Sequence, residues 1–519
     1  MTCTWTPGKA MAQGTGGMVA AQHQVAARAG AAVLARGGNA MDAAVTTALV
    51  LSVVEPWLSG IGGGGFLVWR DGTSGQARTL DFAMRAPKGL RPQDYPLAAG
   101  KDGDWFDWPQ VEGQRNLIGV HSICVPGAIA GLSEALSELG TISWAEALAP
   151  AIEEAEKGLL VDWFTNLCLS IDAPNLLTDP VSANMLLRNG RAPVVGSAGA
   201  ETRLPLGNKP ATLRRLAESG AQDFYQGQIA RDLTRDMAEL GGRMTLDDLS
   251  SYRPRWDTPL TMDWAGARIL AMPGLSGGPA LMDALARIGG AGSGQPDARH
   301  HATVADALRA AYTLRLNTAG HGARAGIDPG CTSHISVIDN QGNAVALTNT
   351  LLSRFGSKVT SGRTGVLLNN GMMWFDPRPG QPNSMAPGAQ PLANMCPILA
   401  ELPQGGVLAI GAAGGRQIMP ALVQLLAYRL LHGMDLGQAL SHPRLDASGP
   451  RIVLDRRLPD GTAGLIGRKH DVEVVDDVLY PVQFAIPSAV ERRSDGMVYG
   501  MVHPNHPWSA AVPEQEAAP

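Results

Sequence analysis

Two threonines in the last third of the sequence have the types and spacing that could support nucleophilic chemistry. Thr332 begins the strand-like segment 332–338, and Thr350 lies near the end of a second such segment, 343–351. Asp339 to Gly342 lie between the segments and have the composition of a hairpin turn. If the loop holds residues 340–342, Thr332 lies opposite Thr350, with the two Cβ atoms about 4.5 to 5.5 Å apart.

This spacing alone leaves two interpretations open. A two-residue loop would place Asn349 opposite Thr332, so either register brings a polar side chain to the start of the first strand. Threonine is also common in sheets, because its branched Cβ favours extended backbone. The pair is therefore either an ordinary part of a strand or a nucleophile with a partner.

The elements before this hairpin are predicted from hydrophobic periodicity. Residues 18–36 have apolar side chains at helical spacing and end at Gly37-Gly38, which predicts a helix. Asn39 can cap a second helix over 40–54, whose apolar character on all sides indicates burial. The glycine-rich segment 59–65 precedes a strand, the reverse of the order in a phosphate-binding turn. We expect these glycines to allow close backbone packing rather than to bind a nucleotide.

Composition and charge exclude several classes of partner. The chain has 519 residues, with 42 Lys and Arg against 47 Asp and Glu, so it lacks the basic character of nucleic-acid-binding proteins. The most apolar stretch, residues 43–54, is shorter than the ~20 residues that cross a bilayer. We therefore expect a small-molecule partner, no nucleic acid and no membrane. The N-terminal residues do not resemble a secretory signal, which favours the cytoplasm, with the periplasm as the alternative.

Cysteine and histidine patterns give no metal signature. The five cysteines are scattered and form no CxxC pair, so neither disulfides nor a zinc site are expected. The pair His300-His301 has no acidic or cysteine partner at ligand spacing. We expect neither a metal nor a cofactor.

Five motifs together resemble the γ-glutamyltransferase family over nearly the whole chain. In order along the sequence they are GGNAMDAA, SGIGGGGF, TSH from Thr332, LLNNGM and GAAGG. The resemblance implies an α/β fold, the αββα sandwich of N-terminal-nucleophile hydrolases. It also implies a proenzyme that cuts itself between Cys331 and Thr332 into a large chain, 1–331, and a small chain, 332–519. The two chains would form a heterodimer with one shared core, with a dimer of heterodimers as a further assembly.

The resemblance also assigns roles to residues of the hairpin and of the GAAGG motif. Thr332 matches the family's nucleophile, Thr350 the threonine that contacts it, and Gly414 and Gly415 the oxyanion-hole glycines. A threonine hydroxyl needs a base at neutral pH. The α-amine freed by cleavage can supply it, because its pKa of about 7.7 to 8.0 lies near the working pH.

Several positions depart from the pattern that holds a γ-glutamyl group in the family. Arg85 lies two residues after the missing arginine, on the same side of an extended strand, so it is either a replacement or a surface charge. Arg354 and Arg378 are either carboxylate clamps or members of structural ion pairs. The departures are Ala83 for an arginine, Leu352 for an asparagine, Trp374 for an acidic residue, and Ala393-Asn394 for paired serines.

These departures favour a substrate without an α-amine, as in the amidohydrolase and acylase branch that includes oxamate amidohydrolase and cephalosporin acylase types. The first hypothesis is thus a hydrolase of linear amide bonds, with acyl transfer as a further activity, that cleaves a small carboxylate-bearing amide through an acyl-enzyme on Thr332. The second is a true γ-glutamyltransferase or glutathione hydrolase. The third is an unprocessed binding protein with the same fold. Substrate contacts are expected from Arg85, Trp374 and Asn394.

Overall fold

The structure is a computed structural model that describes residues 7–101, 108–196, 200–290, 294–320 and 331–517. Its strands are β1 (Ala12–Gly14), β2 (Met18–Ala21), β3 (Gly64–Arg70), β4 (Ala77–Phe82), β5 (Leu97–Lys101), β6 (Pro109–Val111), β7 (Leu159–Leu160), β8 (Arg203–Leu204), β9 (Arg255–Asp257), β10 (Leu260–Trp264), β11 (Ala267–Ala271), β12 (Cys331–Ile338), β13 (Ala344–Leu352), β14 (Ile398–Glu401), β15 (Gly406–Ala413), β16 (Leu445–Asp446), β17 (Ile452–Asp455), β18 (Val472–Val475), β19 (Ile486–Arg493), β20 (Val498–Val502) and β21 (Ala510–Pro513).

The helices alternate with these strands along the chain. They are α1 (Gln24–Ala35), α2 (Ala40–Val54), α3 (Ala128–Leu139), α4 (Trp144–Lys157), α5 (Trp163–Leu176), α6 (Pro180–Leu186), α7 (Lys209–Ser219), α8 (Gln228–Glu239), α9 (Leu246–Ser251), α10 (Gly278–Ile288), α11 (Ala298–Thr318), α12 (Ile418–Leu430), α13 (Leu436–Ser441) and α14 (Thr462–Ile466). Within the described ranges, every helix is too short or too polar to span a bilayer.

Two large antiparallel sheets form the centre of the molecule. In the described part of the chain each has seven strands, in the orders β1-β20-β19-β15-β14-β11-β10 and β21-β2-β12-β13-β3-β4-β9. Both sheets contain strands from before and after Thr332. A core divided at this residue is therefore built jointly by the two predicted fragments.

Three buried apolar clusters define the layers. One lies between the two sheets and contains Phe66 of β3 and Val490 of β19. A second joins the other face of the β12 sheet to α1 and α2, and a third joins the other face of the β15 sheet to α10, α11 and α12. Helices thus cover both outer faces, which confirms the predicted αββα sandwich.

Helix α2 begins where the sequence predicts and is buried at nearly every position. Asn39 accepts hydrogen bonds from the backbone N–H groups of Met41 and Asp42, and the Asp42 carboxylate accepts one from the N–H of Asn39. This reciprocal cap satisfies donors that a helix start leaves unpaired. The helix packs against β12 and β13, which carry the two threonines of the predicted hairpin.

The first predicted helix is shorter than expected. The prediction of a helix over 18–36 is wrong at its start, because Met18–Ala21 is strand β2, which pairs with β12 and β21. A run of four buried apolar residues fits a central strand as well as a helix, and the pairing with two neighbours decides it.

Candidate active site

Thr332 and Thr350 face each other at one end of the β12–β13 hairpin. Their Oγ1 atoms lie 3.4 Å apart, and the side chains are 1% and 0% exposed. Ser333 pairs with Asn349, as the three-residue loop predicts, whereas Cys331 pairs with Leu352, so the register shifts at Thr332. A β-bulge or similar irregularity therefore lies at Thr332, whose hydroxyl faces that of Thr350. The sequence-predicted pair is therefore brought together.

The glycine-rich loop before β3 packs directly on the backbone of Thr350. A Cβ atom at Gly63 would lie 2.0 Å from the Thr350 carbonyl oxygen, and one at Gly65 would lie 2.1 Å from that of Thr348. Neither position has room for a side chain. The prediction that these glycines allow close backbone packing is confirmed, and the neighbour is the strand that carries Thr350.

The backbone after Thr350 turns sharply at Leu352. Its φ of 84° lies in the left-handed region, which a branched side chain such as leucine disfavours. The Leu352 N–H donates to Thr350 Oγ1 at 2.8 Å, and this bond fixes the hydroxyl that faces Thr332. Asparagine, expected here by resemblance, tolerates this conformation more easily than leucine.

His334 lies on the same strand two residues after Thr332. Its Nδ1 is 2.9 Å from Thr348 Oγ1 and its Nε2 is 3.0 Å from Ser336 Oγ. Burial lowers the pKa of this imidazole to about 3, so it is neutral at ordinary pH. Both ring nitrogens are hydrogen-bonded to hydroxyls, and this favours a structural role for His334.

Gly414 and Gly415 follow directly after β15, the strand of the opposite sheet that crosses β12. A Cβ atom at Gly411 would lie 2.2 Å from the His334 ring, so the two strands are in direct contact. Gly414 has a φ of 131° and Gly415 one of 57°, which favour glycine at both positions. The turn thus lies at the end of a strand that packs on β12.

The four positions that depart from the family pattern meet in one apolar cluster between the sheets. Ala83, Leu352, Trp374 and Ala393 are each no more than 2% exposed and belong to the same buried cluster. The indole Nε1 of Trp374 is buried and makes no hydrogen bond with any described residue. At these positions the resemblance predicts charged and polar side chains, whereas the structure has alkyl and aromatic ones. The Trp374 N–H is the one side-chain donor among these four residues.

Arg85 lies in a different cleft. Its guanidinium lies 5.8 Å from the centre of the Tyr252 ring, and it lines a cleft of about 440 Å³ with residues such as Lys88 and Asp248. The described lining of this cleft includes neither Thr332 nor Thr350. No contact between Arg85 and the threonine pair is seen among the described residues.

Asn394 is buried beside a cation that the sequence does not single out. Its Oδ1 is 3.5 Å from Nη2 of Arg315, which also donates to the Ala393 carbonyl at 2.5 Å. Arg315 lies in the last turn of α11, where helical periodicity gives no sign of its role.

The other two candidate clamps are held in ion pairs. Arg354 Nε lies 2.7 Å from the Asp172 carboxylate, and Arg378 Nη2 lies 2.6 Å from the carboxylate of Asp376. Of the two roles left open by the sequence, carboxylate clamp or structural ion pair, the ion pair is the one seen for both arginines. No group of three or more metal-ligating side chains has binding geometry within the described ranges.

Glu55 and His506, which sequence analysis missed, lie beside β12, next to Ser333. Ser333 Oγ donates to Glu55 Oε2 at 3.3 Å, and Glu55 Oε1 is 3.1 Å from His506 Nε2. Glu55 could have been singled out in the sequence, because it is a carboxylate at the end of an otherwise apolar helix, just before Pro56. His506 carries no comparable sequence signal.

Comparisons with known proteins extend over nearly the whole chain. A family profile described as Gamma-glutamyltranspeptidase matches residues 26–324 and 317–511. The chain is 32% identical to an Acylase ACY 1 proenzyme of Pseudomonas sp. (strain V22), over 91% of this chain and 89% of that protein. It is 29% identical to a Glutathione hydrolase proenzyme of Bacillus subtilis (strain 168), over 83% and 81% of the two chains.

A solved structure shares the fold. The cephalosporin acylase of Bacillus halodurans superposes with a TM-score of 0.84 at 24% identity and covers 98% of each chain. The resemblance inferred from the five motifs is thus confirmed: the chain belongs to the gamma-glutamyltranspeptidase family and is an amide-bond hydrolase.

Proposed function

We propose that the chain is a self-processing N-terminal-threonine amidohydrolase that cleaves a small carboxylate-bearing amide through an acyl-enzyme on Thr332. The observation that carries this proposal is the 3.4 Å contact between the Thr332 and Thr350 hydroxyls at the bulged start of β12. The family assignment supports it, and so do two relatives whose names call them proenzymes.

Self-cleavage would use the hydroxyl that later performs turnover. Thr332 Oγ1 attacks the carbonyl carbon of Cys331, and the peptide C–N bond breaks as an ester to Thr332 forms. Water then hydrolyses the ester, which releases the Cys331 carboxylate and leaves Thr332 with a free α-amine. The products are a large chain of 331 residues and a small chain of 188 residues.

Turnover would follow the same geometry with an external amide. The neutral α-amine accepts the proton of the Thr332 hydroxyl as Oγ1 attacks the substrate carbonyl. The Gly414 and Gly415 N–H groups are the proposed donors to the developing oxyanion, each lowering the barrier by roughly 3 kcal/mol. The leaving amine takes up the proton, and water hydrolyses the acyl-enzyme to return Thr332 to its starting state.

The apolar cluster at the four positions that differ from the family pattern favours an acyl group without an α-ammonium. An unpaired ammonium buried against Ala83, Leu352 and Ala393 would lose its hydration without gaining a partner, at a cost of several kcal/mol. The Trp374 N–H suits an acceptor oxygen instead, because an indole can only donate. A carboxylate-bearing acyl group without an amine meets both conditions.

A γ-glutamyl hydrolase or transferase is the second candidate function. The 29% identity to a glutathione hydrolase proenzyme favours it. In that case Arg85 and Asn394 would replace the usual contacts to the α-carboxylate and α-amine.

The test combines processing with substrate choice. The intact masses of the denatured wild-type chain and of Thr332→Ala should differ, with a fragment beginning TSHIS only in the wild type. Glutaryl 4-nitroanilide should then be hydrolysed with a kcat/KM at least about tenfold above that of γ-glutamyl 4-nitroanilide. The reverse preference would support the γ-glutamyl enzyme. A wild-type chain that stays uncut at neutral pH would leave the unprocessed binding protein as the better explanation.

A further inference from the structure

A buried polar network lies on the face of β12 opposite to the threonine pair. It consists of Ser333, Glu55 and His506, each no more than 1% exposed. Ser333 Oγ donates to one carboxylate oxygen of Glu55, and the other carboxylate oxygen faces His506 Nε2 at 3.1 Å, outside good hydrogen-bond geometry. Ser333 is the residue next to the proposed nucleophile.

Glu55 is in an unfavourable place for a carboxylate. It caps the C-terminus of α2, where the helix dipole has its negative end, and it is fully buried. Burial of a charge without a partner is costly, so both contacts of this carboxylate matter to its presence there. The network is therefore a specific arrangement around β12 rather than incidental packing.

The network crosses the proposed cleavage boundary. Glu55 belongs to the large chain, whereas Ser333 and His506 belong to the small chain. Before cleavage, the strand continues through Cys331, whose backbone pairs with Leu352. Cleavage removes that pairing from the small chain and makes Thr332 a chain end, and chain ends fray unless another contact holds them.

We propose that Glu55 is a positioning residue that anchors the freed N-terminus through Ser333. The inference rests on the proposed self-cleavage before Thr332. Ser333 becomes the second residue of the small chain. Among the described residues, its hydrogen bond to Glu55 lies nearer the new terminus than the other side-chain contact of this strand with the large chain, from the His334 N–H to Gln22 Oε1.

The charge of Glu55 also acts on the proposed base. A carboxylate near the Thr332 α-amine favours the protonated ammonium and so raises the pKa of that amine. Because only the neutral amine accepts a proton, activity rises with pH through this pKa. Among the described residues, other titratable and charged groups lie around Glu55 and His506. They are His23, Glu154, Asp162, His503 and Lys9, and the Lys9 ammonium donates to the His506 carbonyl.

Hydrogen exchange separates the anchor from ordinary core packing. In the processed enzyme, Ser333→Ala should increase backbone amide exchange in residues 333–338 about tenfold relative to the wild type. In the uncut Thr332→Ala background, the same change should have little effect, because the strand still continues through Cys331. Thr46→Val is the matched control, since Thr46 is a fully buried residue of α2 whose hydroxyl has no described partner.

The pH dependence of kcat/KM distinguishes the effect of the Glu55 charge from that of its hydrogen bond to Ser333. Glu55→Gln keeps an oxygen that can accept from Ser333 but removes the negative charge. The acid limb of kcat/KM for glutaryl 4-nitroanilide should therefore move to lower pH, by about one pH unit. Thr46→Val should leave that limb in place.

The outcomes distinguish this inference from the proposed function. Faster exchange in both backgrounds, or in neither, would show that Ser333 and Glu55 only stabilise the core and would overturn the anchor. An acid limb that does not move in Glu55→Gln would overturn the charge effect. A chain never cut before Thr332 would overturn the proposed function and the inference together.

Discussion

The two threonine hydroxyls are neighbours before any substrate arrives. Thr350 Oγ1 accepts a hydrogen bond from the Leu352 N–H at 2.8 Å and another from the Thr332 hydroxyl at 3.4 Å. An acceptor at that position fixes the orientation of the Thr332 hydroxyl, which must point its oxygen at the carbonyl that it attacks. Thr350 is thus suited to assist both self-cleavage and turnover.

Replacing Thr350 by valine tests this role at constant shape. We expect Thr350→Val to slow self-cleavage and to lower kcat about 10- to 100-fold, since it removes the oxygen that accepts from the buried Thr332 hydroxyl, and a buried polar group that loses its partner costs about 1–3 kcal/mol. Rates of precursor disappearance on denaturing gels and steady-state kinetics measure the effect. Thr79→Val, at a buried threonine of β4 whose hydroxyl has no described partner, should change neither rate. Equal rates in Thr350→Val and the wild type would contradict the assignment.

Sequence analysis predicts some of these residue contacts and misses others. The Thr332–Thr350 contact follows from the hairpin, because strand register depends on the loop between the two segments. The contact of Glu55 with Ser333 and His506 joins residues far apart in the chain, and only the packing of α2 and of the C-terminal segment on β12 brings them together. Local patterns carry no information about such a contact.

At the scale of elements, the glycine loop and the hairpin form one unit. Gly63 touches the Thr350 carbonyl so closely that the loop fixes how far β13 can move from β3. The neighbouring glycines are equally confined, because a Cβ atom at Gly62 would lie 2.3 Å from the Leu367 carbonyl oxygen and one at Gly64, the first residue of β3, 2.6 Å from that of Phe82. The loop therefore supports the site by backbone packing and does not need to contact substrate.

Gly63→Ala should disturb this unit. Its Cβ would lie 2.0 Å from the Thr350 oxygen, so the backbone must shift, and we expect the free energy of unfolding to fall by about 1–3 kcal/mol. Self-cleavage should slow as well, because Thr350 moves with the strand. Gly464→Ala, in α14 with open space around it, should be neutral or slightly stabilising. Urea unfolding of both variants gives the comparison, and equal stability would argue against the tight packing.

The elements differ in how well the sequence predicts them. Helix α2 matches its prediction because its start depends on local capping by Asn39. Strand β2 does not, because Met18–Ala21 becomes a strand only through its partners β12 and β21. The layer order of the sandwich likewise came from resemblance to a family and not from periodicity, since periodicity does not say which sheets face each other.

For the whole molecule, buried histidines predict an acid-sensitive fold. Burial lowers the pKa of His301 to about 3 and that of His334 to about 3, against about 6.5 in an unfolded chain. The unfolded state therefore binds more protons between these values, and stability falls as the pH drops below about 6.5. Both ring nitrogens of His301 lack a described partner, so nothing offsets its burial.

In His301→Leu, the free energy of unfolding should decrease less steeply as the pH falls. Removal of one buried histidine should reduce the pH dependence of the unfolding free energy by about 1.4 kcal/mol per pH unit between pH 4 and pH 6. Urea unfolding at several pH values measures the slope, in a Thr332→Ala background so that the proposed processing does not interfere. An unchanged slope would show that His301 does not titrate in this way.

The pairing of β2 with β21 places the second strand of the described chain beside the last one. Met18 lies opposite Pro513, and the Glu514 N–H donates to the Gly17 carbonyl at 3.0 Å. A circularly permuted gene that begins at Thr332 and joins the old C-terminal end to the old N-terminal end would keep every strand neighbour in both sheets. Once its initiator methionine is removed, the permuted protein would have the threonine amine from synthesis, so catalysis would be separated from maturation.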